Sequence, residues 1–174
     1  PTYSLSIKFF NELKNQKKIH PIIKRMLDIE YITSEFLIDN TELAFKIWEK
    51  QKSRNYTFEE FCEYILPYRN FSEKIEKWRE VYYNEFAPKN SNSFKMNIKK
   101  SSNLLNELLK GYFVSSYSYE SKEINTISLS PLQMIFRKRG LCEDMVSFTL
   151  FVFKSQGIPC RIDMVPFHGT STGR

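Results

Sequence analysis

Glycine is nearly absent from the first four-fifths of this chain. The sequence of 174 residues contains five glycines, and four of them lie at or after Gly140. Glycine supplies the left-handed positions that tight turns need, and it weakens helix interiors. The chain is therefore expected to be helical through most of its length and rich in turns only near its end.

The composition excludes several broad classes. Hydrophobic residues make up 41% of the chain and charged residues 26%, which excludes a disordered or fibrous protein. No window reaches the ~18 uncharged apolar residues of a membrane-spanning helix. The net charge of +6 is spread along the chain and forms no long basic stripe, so a basic helical nucleic-acid binder is a disfavoured hypothesis.

Helix start signals recur in the first hundred residues. Three pairs have capping-box spacing: Asp39 with Glu42, Thr57 with Glu60, and Asn70 with Glu73. The helix after Thr57 is expected to end near Pro67. Ile75, Trp78, Tyr82 and Phe86 fall on one helical face. An aromatic stripe of this kind is typical of a core, and a ligand-stacking surface is the rarer alternative.

The segment from Ser128 onward is the most informative. Ser130-Pro131 is typical of an N-cap followed by a first-turn proline, and that helix is expected to end near Gly140. The string Gly140-Leu141-Cys142-Glu143-Asp144 then leads into an apolar run, which predicts a helix buried on nearly all sides. Tyr112–Tyr119 and the alternating Cys160–Val165 are interpreted as strands.

The position of Cys142 matters chemically, because it falls in the first turn of the buried helix. Backbone N–H groups at a helix N-terminus favour a thiolate and can form part of an oxyanion hole. Glu143 and Asp144 oppose a thiolate but also suit a first turn for capping reasons alone. The basic residues 137–139 would favour a thiolate if they faced the sulfur. On local physics alone, a buried structural thiol is the favoured interpretation of Cys142, and a nucleophile is the alternative.

Two strings carry a family resemblance. Gly140-Leu141-Cys142-Glu143-Asp144, followed by an apolar helix and Gly157-Ile158-Pro159-Cys160-Arg161-Ile162-Asp163, resembles the core of the transglutaminase-like superfamily of papain-like thiol enzymes. The upstream string from Phe61 to Arg69, with Glu73, Trp78 and Arg79, resembles the helical leader of some bacterial members.

The resemblance implies an α+β fold. A mainly helical leader would occupy residues 1–95, and residues 96–174 would form the N-terminal part of a papain-like core. It implies that Cys142 attacks an amide or peptide carbonyl and forms a thioester, which an amine or water then releases. It also implies a peptide or protein amide substrate, no cofactor, and a histidine base oriented by an Asp or Asn.

The sequence departs from the family pattern at the expected catalytic histidine. An H-x-W string, which usually carries it, does not occur in this sequence, and His168 is the only histidine after Cys142. His168 is interpreted either as a surrogate base or as a loop residue. We expect the family histidine to lie beyond Arg174, in which case the core in this chain is incomplete. An incomplete core would leave a sheet edge unpaired and favour self-association.

Several other residues have a structural interpretation as well as a functional one. Gln133 compares with an oxyanion-hole amide but equally suits a helix surface. Asp163 is better suited to a structural hydrogen bond than to a role in a catalytic triad. Cys160 could form a disulfide with Cys142, which would disable the thiol. With no CxxC and two histidines, a zinc site is disfavoured.

Two function classes remain open at this point. The first is a transglutaminase-like acyltransferase, protease or amidase, which the resemblance favours. The second is a non-catalytic member of the same fold that binds a peptide or glycan. The residues leave the compartment open, and the resemblance to bacterial members with helical leaders favours the cell envelope or secretion.

Overall fold

The computed structural model describes four stretches of the chain, residues 27–50, 55–87, 97–115 and 129–163. The chain divides into two compact units, Pro1–Ile32 and Thr33–Arg174. In the first unit the described residues form one short helix, α1 (Asp28–Tyr31). No helix in these four stretches is long and apolar enough to cross a membrane.

The first part of the second unit is helical, as the scarcity of glycine predicts. It contains α2 (Ser34–Lys50), α3 (Phe58–Glu60), a π-helical continuation of α3 (Phe61–Ile65), and α4 (Arg79–Phe86). Thr57 Oγ1 accepts a hydrogen bond from the Glu60 amide at 3.1 Å, and Glu60 Oε2 accepts one from the Thr57 amide at 2.7 Å. The predicted capping box and the helix end before Pro67 are confirmed.

The other two pairs with capping-box spacing do not begin helices, so these two predictions are wrong. Asp39 lies inside α2, which begins at Ser34, and its carboxylate binds Lys77 instead. Glu73 accepts hydrogen bonds from the amides of Asn70 and Phe71, but no helix follows until Arg79. The buried Glu73 carboxylate therefore stabilises a loop rather than a helix start.

The second part of this unit contains α5 (Ile98–Leu109), β1 (Val114–Ser115), α6 (Pro131–Arg137), β2 (Arg139–Gly140) and α7 (Cys142–Ser155). Ser130 caps α6 as predicted, since its Oγ accepts from the Gln133 amide and Gln133 Oε1 accepts from the Ser130 amide. The helix ends before Gly140 because Lys138 adopts a left-handed conformation with φ of 50°.

The described residues confirm the helical character of the chain but not an α+β core. The strands β1 and β2 pair in parallel, Val114 with Arg139 and Ser115 with Gly140. The strand predicted over Tyr112–Tyr119 is thus formed only at 114–115, and residues 116–128 lie outside the described stretches. The strand predicted over Cys160–Val165 is not formed at residues 160–163, and residues 164–174 lie outside the described stretches.

The helix α7 lies at the centre of the main core. The core consists of aromatic and aliphatic side chains from α4 to the residues after α7: Trp78, Tyr82, Phe86, Leu105, Phe113, Leu129, Met134, Phe148, Phe151, Val152, Phe153 and Ile158. The ring centroids of Trp78 and Phe151 lie 4.5 Å apart. The aromatic stripe of α4 is therefore core, as predicted.

Candidate active site

Cys142 is the first residue of α7, and its side chain is exposed. The N-cap residue before it, Leu141, has an extended backbone and makes no side-chain cap hydrogen bond. The first N–H groups of a helix have no partner within the helix, and the Leu141 side chain has no oxygen to accept from them. The thiol therefore lies at a helix N-terminus whose cap residue supplies no side-chain oxygen, in contrast to α6 with its Ser130 cap, and the same first turn carries the carboxylates of Glu143 and Asp144.

Asp144 fixes the turn that carries Cys142. It is 5% exposed, its Oδ2 accepts from the Leu141 amide at 2.9 Å, and its Oδ1 accepts from the Leu129 amide at 3.1 Å. One carboxylate thus joins the start of α7 to the residue before the α6 cap. Both oxygens are held by backbone amides, so Asp144 is a structural anchor for the turn rather than a reacting group.

Gly140 leaves the space that Asp144 occupies. A Cβ atom at position 140 would lie 2.7 Å from both Cβ and Oδ2 of Asp144. Contacts that short do not occur between real side chains, so only glycine permits this packing. The glycine and the aspartate of the Gly140–Asp144 string are therefore structural, and the exposed Cys142 lies between them.

The far end of α7 is attached to the loop that precedes α4. Asn70 Nδ2 donates to the carbonyl oxygen of Ser147 at 3.2 Å and to its hydroxyl at 3.3 Å. Lys154 Nζ donates to Asn70 Oδ1 at 2.6 Å. These bonds hold α7 against a loop about eighty residues earlier in the chain, which restricts the direction in which its N-terminus points.

Burial changes the titration of two groups beside α7. Burial, with a smaller contribution from the Arg79 charge, lowers the pKa of Lys154 to about 8, against the opposing effects of Cys160 and Glu73. Burial raises the pKa of Cys160 to about 11 against the opposing effect of Lys154. The Cys160 thiol is thus protonated at neutral pH and unsuited to nucleophilic attack.

The three cysteines are all free thiols, so the Cys142–Cys160 disulfide considered from the sequence is not formed. Cys62 is partly buried and packs against a small second cluster that contains Phe61 and Ile65. Cys160 is partly buried against the main core. Only Cys142 combines exposure with a helix N-terminus.

The remaining sequence candidates do not join Cys142 within the described residues. Gln133 uses its carbonyl oxygen in the α6 capping box, and the exposed Asp163 pairs with Arg161 at 3.3 Å. Lys138 lies over the Tyr112 ring, 4.3 Å from its centroid. His168 lies outside the described residues.

Two features of the site were missed from the sequence. A capping role for Asp144 in the first turn was predicted, but its hydrogen bond from the Leu129 amide was not. Its four-residue spacing from Gly140 was a signal that could have been used. The Asn70 contacts with α7 left no comparable signal, because they depend on residues distant in the sequence.

Comparison with known proteins agrees with this C-terminal arrangement. Residues 95–172 match the family model of the transglutaminase-like superfamily, and the match includes the Cys142 turn and the whole of α7. This part of the chain is therefore similar to the transglutaminase-like superfamily. No curated protein and no solved structure matches the chain.

Proposed function

We propose that this chain carries the nucleophile of a transglutaminase-like thiol acyltransferase or amidase, and that the nucleophile is Cys142. The single observation that carries the proposal is the exposure of Cys142 at the N-terminus of a helix held by the core. The similarity of residues 95–172 to the transglutaminase-like superfamily supports the same reaction class.

The proposed reaction has two steps. In the first, the Cys142 thiolate attacks the carbonyl carbon of a peptide or protein amide, a C–S bond forms, and the amine leaves with a proton supplied by a general acid. In the second, water or another amine attacks the thioester and returns the thiolate. The N–H groups at the start of α7 are suited to stabilise the oxyanion of both tetrahedral intermediates.

His168 is proposed as the candidate base and acid for these steps. A histidine side chain can both accept and donate a proton, which suits both steps. An ordinary loop role remains the alternative for this residue.

The nucleophile can be tested with p-nitrophenyl acetate. Its leaving group departs as p-nitrophenolate and needs no general acid, so acylation depends on the thiolate alone. We expect one acetyl group to be transferred to Cys142 with a burst of p-nitrophenolate, and Cys142→Ser to abolish the burst. Cys62→Ser and Cys160→Ser are the matched controls and should retain it.

The second step is tested by following loss of the acetyl group in His168→Gln. If His168 is the base, hydrolysis of the acetyl-thioester slows while the burst is unchanged. A burst that survives in Cys142→Ser, with acetyl found on another residue, would overturn the assignment of the nucleophile. A non-catalytic binding fold is then the better description of the chain.

A further inference from the structure

The strand β2 has an open edge just before Cys142 in the chain. The Val114 amide donates to the Lys138 carbonyl at 2.9 Å, so that carbonyl faces β1. The C=O and N–H of a trans peptide bond point in opposite directions, so the Arg139 N–H faces away from β1. The parallel register turns the Arg139 carbonyl to the same outer side. Neither group makes a hydrogen bond within the described stretches, and Arg139 is exposed.

This edge lies close to the candidate nucleophile. Arg139 and Cys142 are three residues apart, and three residues span at most about 11 Å. An exposed donor and acceptor on a strand edge bind an extended peptide as an added strand. A peptide that pairs with Arg139 therefore brings its own backbone within reach of the thiol.

Two exposed cations flank the edge. The Lys138 ammonium lies 4.3 Å from the centroid of the Tyr112 ring, which holds it in place, and the side chain is exposed. Neither Lys138 nor Arg139 forms an ion pair or side-chain hydrogen bond with a described residue. After Cys142 in the chain, the exposed Glu143 carries the opposite charge. The edge therefore favours acidic side chains on the β2 side of the thiol and disfavours them on the other.

The backbone edge and the two cations together indicate the class of ligand. A small anion meets the cations alone, whereas an extended acidic peptide also forms main-chain hydrogen bonds along the edge. We propose that the acyl donor is an extended peptide segment that adds a strand to the outer edge of β2, with acidic side chains facing Lys138 and Arg139. This inference rests on the proposed function of Cys142 and names its substrate as an acidic segment of a protein rather than a small amide.

Peptide binding can be measured without the reaction. The protein is Cys142→Ser, at a concentration where sedimentation shows a monomer, and the probe is the blocked peptide acetyl-Glu-Thr-Glu-Thr-Thr-Thr-amide. The readouts are the NMR signal of the Arg139 backbone amide and its hydrogen exchange. We expect a saturable shift of this signal. At about ten times the dissociation constant, the peptide should slow exchange of this amide about tenfold.

Charge is tested on both partners. The peptide with Gln in place of both Glu residues should bind at least about threefold more weakly. The variant Lys138→Gln, Arg139→Gln should weaken binding of the acidic peptide by a similar factor. The matched control is Lys99→Gln, Lys100→Gln, which removes the same charge from two exposed residues of α5 and should leave the affinity unchanged.

The position of the bound peptide is tested in the native protein. Saturating acidic peptide should slow alkylation of Cys142 by iodoacetamide and leave alkylation of Cys62 unchanged. The p-nitrophenyl acetate burst reports on the nucleophile without the peptide, so failure of the proposed reaction and failure of peptide binding are distinguishable.

Four outcomes would overturn the proposal. The first is no saturable shift of the Arg139 amide. The second is equal binding of the Glu and Gln peptides, or equal weakening by the two double variants. The third is binding that leaves alkylation of Cys142 unchanged. The fourth is slow exchange of the Arg139 amide before any peptide is added, which would show that the edge is already paired.

Discussion

Asp144 is the residue that holds Cys142 in place, since both of its carboxylate oxygens accept backbone hydrogen bonds. Asp144→Ala removes both bonds and leaves two amides without partners. Hydrogen bonds to charged groups contribute about 1.5–3 kcal/mol each, so we expect a loss of several kcal/mol in the free energy of unfolding. Urea denaturation measures it.

The neighbouring carboxylate provides the control for this prediction. Glu143 is exposed, so Glu143→Ala should change the free energy of unfolding by less than about 1 kcal/mol. Equal losses in the two variants would show that the Asp144 bonds do not stabilise the turn.

Lys154 gives a pH-dependent prediction at the same scale. Its folded pKa of about 8 lies below the ordinary lysine value of ~10.4, so the unfolded chain binds more protons between these values and stability rises with pH in that window. Below pH 8 the penalty for burying the ammonium is fully present and constant.

The measurement must remove the opposing effect of Cys160. The raised pKa of that thiol makes stability fall with pH from ~8.5 to about 11, so the comparison is made in a Cys160→Ala background. Between pH 8 and 9.5 the free energy of unfolding of the Cys160→Ala variant should rise. The rise should exceed that of the double variant Cys160→Ala, Lys154→Met by on the order of 1 kcal/mol. Parallel stability curves for the two proteins would contradict the lowered pKa.

At the scale of elements, Asn70 links the loop before α4 to α7. Asn70→Ala removes its bonds to Ser147 and leaves Lys154 Nζ without the acceptor it has at 2.6 Å. A buried charged group that loses its acceptor is costly, so we expect a loss of about 2–4 kcal/mol in the free energy of unfolding. The exposed Asn103→Ala on α5 is the control and should lose under ~1 kcal/mol.

The elements also show how much could be predicted from the sequence. The caps at Thr57 and Ser130 and the helix that starts at Cys142 were predictable, because each depends on residues within one turn. The Asn70–Glu73 pair misled the prediction because the buried Glu73 is used by a loop. The position of Cys142 at a helix start was predictable, but the bond from Asp144 to Leu129 joins residues fifteen apart and required the fold.

At the scale of the whole molecule, the helices before residue 95 and the transglutaminase-like segment share one core. Trp78, Tyr82 and Phe86 pack with Phe148 and Phe151 of α7. The side chains that place α7 therefore come from both parts of the chain. The boundary between a leader and a core at residues 95–96 stays a prediction.

The strand pair gives a prediction about association. Each strand has one neighbour within the described residues, and Phe136 beside β2 is 85% exposed. We expect the protein to associate at high concentration through this region, because open strand edges and exposed apolar side chains favour contact between chains. Sedimentation analysis should show less association for Phe136→Lys than for Val81→Lys, a control on α4. A monomer at every concentration would contradict this expectation.

The central claim is that Cys142 is the reactive thiol of this chain. Competitive alkylation of the native protein with a limiting amount of iodoacetamide at pH 7, followed by mass spectrometry of the three cysteine peptides, tests it most directly. We predict that Cys142 is modified before Cys62 and Cys160, because it is the exposed thiol of the three. Modification of Cys142 no faster than that of Cys160 would contradict the account.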